Sequence, residues 1–160
     1  NIEVSMKKSL FVLAFMATTS FPLLAEEKHD HNAHGSGALQ LESEKKWETD
    51  APLRKGMAGI RDAMASRLGE IHASRLKKPQ YAELSEKIST HTNSIFKNCK
   101  LSPKADAQLH LVLSQILGGN QQMKSAESIQ DRRAGAIKII DALQLYPKYF
   151  DHPGWQPLAD

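Results

Sequence analysis

Nine side chains in this sequence carry donors that could hold a metal: His29, His31, His34, Met57, Met64, His91, Cys99, His110 and His152. Imidazole, thiolate and thioether are the groups that copper, zinc and haem iron select. His29, His31 and His34 form a His-x-His-x-x-His run that could capture a soft cation without any fold. Cys99 is the chain's one cysteine, so no internal disulfide can form. It is either a small buried apolar group or a ligand. Met57 and Met64 also suit core filling, and His91 suits a buried, hydrogen-bonded imidazole.

The spacing of these residues matches no established metal motif. There is no Cys-x-x-Cys-His for covalent haem, no Cys-x-x-Cys pair and no His-Glu-x-x-His. Catalytic patterns are thinner still. Glu83 and Glu86 fall on a solvated helix face, no Ser/His/Asp constellation stands out, and Gly118-Gly119 follows no strand that would make it a phosphate loop. A non-enzymatic protein is the expectation. A net charge of +3 with no long Lys/Arg block gives no electrostatic footprint for nucleic acid.

The ligand-type residues act together only if the fold gathers them. Hydrophobic residues make up 41% of the chain and aromatic ones 6%, with the apolar weight in Leu, Ile, Ala and Met, which favours helices. Met6-Lys7-Lys8, the apolar run Ser9 to Leu24 and the small residue Ala25 have the three-part build of a secretory signal peptide. Thr18, Thr19, Ser20 and Pro22 interrupt that run, which is short of the ~20 apolar residues of a spanning helix. Cleavage after Ala25 and a periplasmic location follow as expectations, with Asn1 to Ser5 lying upstream of the start. Residues 26–40 lack apolar periodicity and read as a disordered His-bearing arm. The folded domain is expected over 41–160.

Asp50-Ala51-Pro52 is a helix start, followed by a stripe of Leu53, Met57, Ile60, Met64, Leu68 and Ile71. Lys77-Lys78-Pro79 ends it and opens a second stripe of Tyr81, Leu84, Ile88, His91, Ile95 and Cys99. Ser102-Pro103 starts a third helix, with Ala105, Leu109, Val112, Ile116 and Met123 inward; Gly118-Gly119-Asn120 either ends it or sits within it. A fourth runs from Ser128 to about Tyr146, stopped or kinked by Pro147. Four helices with short loops predict an all-α, antiparallel up-down-up-down four-helix bundle. Hairpin pairing would set Met57 level with Cys99, Met64 level with His91, and His91 level with His110. His152 and the His29/His31/His34 arm would return to the same end, and His72 would lie at the other.

In layout this chain resembles the periplasmic four-helix cytochromes of the b562 and c-prime type, over about Asp50 to His152. The resemblance implies b-type haem held by Met57, in Leu53-Arg54-Lys55-Gly56-Met57, and His152, in Tyr149-Phe150-Asp151-His152. The missing attachment motif excludes the c-prime linkage. His152 stands between Pro147 and Pro153, and the Asn98-Cys99-Lys100-Leu101 turn and the tail to Trp155 look like those of a separate family of exported bacterial proteins. Three expectations follow: a periplasmic copper or zinc protein, a haem-binding electron carrier, or a cofactor-free interaction or adaptor protein with structural histidines.

Overall fold

The computed structural model describes residues 37–159, and over that range the protein is all-helical. The expected signal peptide and the expected His29, His31 and His34 arm lie outside the described residues. The described residues form five helices: α1 Ala51–Ala65, α2 Leu68–His72, α3 Lys78–Asn98, α4 Pro103–Ser125 and α5 Ile129–Tyr149. The helix starts follow local chemistry. Asp50 accepts from Leu53 N at 2.8 Å, Ser102 from Ala105 N at 3.3 Å and Ser128 from Asp131 N at 3.0 Å. Each satisfies a backbone donor that the first helical turn leaves free.

The expected first helix is two helices. Ser66 Oγ donates back to Ala63 O, and Arg67 N turns from the i−4 carbonyl to Met64 O, three residues back. That tightening breaks the helix at Ser66–Arg67, and α2 restarts at Leu68 with Leu68 and Ile71 still buried. The stripe therefore marked the buried face correctly but concealed the break. Arg133 Nε of α5 donates to Ile71 O at 2.8 Å, capping the short helix from a neighbour.

α1 packs on α3, α4 packs on α5, and α3 joins the two pairs. Small residues allow the close approaches. An added Cβ on Gly56 would overlap Ile95, and one on Gly59 would overlap the His91 ring. On the other pair, a Cβ on Gly119 would lie 2.6 Å from Gly135 O, and one on Gly135 would lie 2.5 Å from Gly119 O. Gly118 and Gly119 sit inside an unbroken α4; Gly119 lets two helix backbones touch. Pro147 also lies within its helix, and α5 ends three residues beyond the expected Tyr146.

Segments outside the helices close one end of the fold. Leu39 packs on the core, so packed chain begins slightly before residue 41. Trp47, 6% exposed, pairs with the tail: Trp47 N donates to Tyr149 O and Asp151 N donates to Trp47 O, both at 2.8 Å. Trp47 Nε1 donates to Gln40 O at 2.7 Å, and Thr49 Oγ1 to Asp151 O at 2.5 Å. No helix among the described residues is long and apolar enough to cross a membrane.

Candidate functional site

The helix registers decide which ligand-type residues meet. Gly56 faces Ile95 and Gly59 faces His91, so α1 and α3 run antiparallel with Met57 opposite the 91–95 stretch. Cys99 is carried beyond Met57 to the N-terminus of α1, beside Asp50. Met64 lies five residues past Gly59, about 7.5 Å farther along the axis, and so is not level with His91. Between α3 and α4, Asn120 meets Ser89 and Lys124 meets Glu86. This register puts His91 opposite residues near 118, about 12 Å along α4 from His110 at 1.5 Å per residue. The expected layer of Met64, His91 and His110 does not form.

The connector explains the shift. Cys99 and Ser102 have extended backbone, with ψ of 136° and 151°. Extended residues advance about 3.3 Å each. The link thus carries the chain roughly two helical turns beyond α3 before α4 descends. His110 is thereby brought level with the end of α3, where Cys99 lies.

Each expected ligand then has a definite environment. Met57 and Met64 are fully buried among apolar neighbours. His91 is half-buried, its ring against Gly59. His152 is half-buried, with its Nδ1 3.1 Å from Tyr146 Oη and its ring centroid 5.0 Å from that of Trp155. Tyr146 in turn stacks on Phe150 at 5.2 Å. His72 is exposed at the end of α2.

Cys99 and His110 do share a feature: an open cleft of about 250 Å³ between α3 and α4, floored by Ile95, Leu109 and Leu113, with Asp106 and Phe96 beside it. His110 Nδ1 lies 2.8 Å from Asp106 O and 3.4 Å from Asp106 Oδ2. A carbonyl only accepts, so Nδ1 carries a proton, and Nε2 is the ring nitrogen that Asp106 does not hold. The Cys99 thiol is pushed up to about 12, first by burial and then by the charge and hydrogen bonding of Asp50, with Asp106 adding to it. At neutral pH it is a protonated thiol, a poor nucleophile and a poor ligand. Among the described residues no three His, Cys, Asp or Glu side chains are grouped to hold a metal ion.

For haem, the fit can be judged from Met57 and His152. Met57 has no exposed surface, His152 has one ring nitrogen on Tyr146, and neither lines the α3–α4 cleft. A thioether closed inside the core is not a free axial ligand, so the pair does not fit haem.

Two residues that now matter had faint signals in the sequence. Asp50 was recognisable as a cap, but its second oxygen also accepts from Lys100 N at 2.6 Å, across 50 positions of chain. Phe96 is 50% exposed. It follows the seam residue Ile95 directly, and a large aromatic just off a helical stripe is the signal that could have marked it.

Burial pushes the His152 imidazole below its ordinary value of 6.5; Arg54 and Arg61 add to this and Asp151 opposes it. The folded state therefore favours the neutral ring, and the unfolded chain takes up the proton first. Stability should be full above about pH 6.5 and decline as pH falls below it, through the lower folded-state value. Urea midpoints measured from pH 7.5 to 5 should show that decline, with His152→Gln flattening part of it. An unchanged slope in the variant would refute the assignment.

No protein-family model, curated protein or solved structure matches this chain.

Proposed function

We propose that this is a non-enzymatic periplasmic protein that acts by protein contact, built as an up-down-up-down four-helix bundle without a metal or haem in its interior. The antiparallel registers of α1 with α3 and α3 with α4 support the bundle reading, α1 and α2 together standing as its first arm. One observation carries the functional reading. Apart from the exposed His110, the ligand-type side chains inside the domain are already engaged in the fold: Met57 and Met64 in the core, His91 against Gly59, Cys99 beside Asp50 and His152 on Tyr146.

The contact face in this reading is the α3–α4 cleft, and its occupant is an amphipathic helix of another exported protein. Helix-in-groove recognition needs an apolar floor flanked by polar rims. Leu109 and Leu113 supply the floor, Phe96 a projecting aromatic, and Asp106 a charge that a basic residue of the partner would meet. A photo-crosslinking residue placed at Phe96 should capture one dominant partner, and Asp106→Lys should abolish capture. The same residue at the solvated Lys87 should capture none. Equal capture at both positions, or indifference to Asp106→Lys, would defeat the proposal.

A second reading is copper or zinc in the same cleft, since Cys99, Asp106 and His110 all line it, and its ions would have to draw together side chains that are not grouped as a ligand set. The thiol would release its proton on binding, so affinity would climb steeply with pH. Elemental analysis of protein from its native compartment, and melting with added Cu²⁺ or Zn²⁺, separate the two. The contact reading expects no stoichiometric metal, no rise in Tm and no Soret band with haemin. A rise in Tm that Cys99→Ser and His110→Ala remove would establish the metal reading instead.

A further inference from the structure

The interface between α3 and α4 contains a row of buried polar side chains. Tyr81, Ser85 and the half-buried Ser89 follow one another at i, i+4 along α3, and Asn120 of α4 meets Ser89. Tyr81 and Ser85 have no exposed surface, and Asn120 is 6% exposed. Ser89 Oγ donates its proton to Ser85 O at 2.9 Å, which leaves that oxygen only able to accept. Asn120 must therefore present its amide nitrogen, and Nδ2 donates to Ser89 Oγ at 2.9 Å. This fixes the amide's orientation and turns Oδ1 away from Ser89. Oδ1, Ser85 Oγ and Tyr81 Oη are buried with no protein partner.

Buried polar atoms are costly unless hydrogen-bonded. None of these three atoms pairs with another protein group, whereas one water oxygen can take two hydrogen bonds of about 2.8 Å and so join groups that do not meet directly. We propose an internal water site between α3 and α4, in which one molecule accepts from Ser85 Oγ and donates to Asn120 Oδ1. Two polar partners is the lower end of the usual complement of a buried water.

The test turns on a sign. If Ser85 Oγ is bonded to a shared water, Ser85→Ala strips the water of a partner and lowers Tm by about 5 °C. If the hydroxyl lies in a dry seam, the same substitution removes an unsatisfied group and raises Tm. Combining Ser85→Ala with Asn120→Ala should give a loss smaller than the sum of the two, because both act through one molecule. Magnetisation transfer from long-lived water to the Asn120 side-chain amide protons should be present in the unsubstituted protein and absent in Ser85→Ala. A raised Tm, strict additivity or no transfer from water would each overturn the site.

Discussion

Trp47→Ala should destabilise the protein by about 4 kcal/mol, in the range found for removing large buried aromatics. Trp47 lies outside every helix, yet it is 6% exposed and sits between the segment before α1 and the tail. Its backbone exchanges two hydrogen bonds with Tyr149 and Asp151, and its indole holds Gln40 O. Removing the ring leaves a void in the core cluster to which it belongs. A domain of this size has about 5–15 kcal/mol in all, so the variant should be only marginally folded at 37 °C. Urea unfolding checks the total, and hydrogen exchange should show the tail opening first. Trp47→Phe keeps most of the apolar area and should lose only about 1 kcal/mol. Equal losses in the two variants would mean that the indole hydrogen bond, not burial, dominates.

The glycine pair gives the second large effect, with an internal control one residue away. Gly135→Ala would put a methyl 2.5 Å from Gly119 O and 2.7 Å from Met123 N. Backbone atoms cannot rotate aside, so α4 and α5 must separate. Overpacking costs roughly 1–3 kcal/mol or more, against about 1 kcal/mol gained in helix propensity, for a net loss near 2 kcal/mol. Gly119→Ala meets Gly135 O and should behave alike. At Gly118 the nearest atom is the mobile Lys138 Nζ at 3.4 Å. There the propensity gain is unopposed, and Gly118→Ala should stabilise by about 0.5–1 kcal/mol. Chemical denaturation of the three variants reads the opposite signs directly. Stabilisation by Gly119→Ala would show that the helices can part cheaply.

These residues also show what a sequence can reveal. Asp50, Ser102 and Ser128 mark helix starts because capping involves only the next few residues. The stripes from Leu53 to Met64 and from Tyr81 to Ile95 are legible because burial repeats with the helical period. Gly118 and Gly119 look alike in sequence, and only the distant Gly135 separates their roles. The placing of His91 and His110 fails for a related reason. It depends on the extended link from Cys99 to Ser102, which changes how far α4 slides past α3. Cys99 was legible as a seam residue, a buried apolar group or a ligand; its half-burial, and a proton kept on it by burial and then by Asp50 from 49 positions away, were not.

The pairing of Trp47 with Phe150 brings both extremities of the folded region to one place. A short Gly/Ser linker could therefore join residue 158 to residue 39 with little loop-closure entropy. New termini could then be opened in the exposed loop at Ser74–Arg75. Such a circular permutant should fold to the same structure, because the contacts that define the domain do not depend on where the backbone is cut.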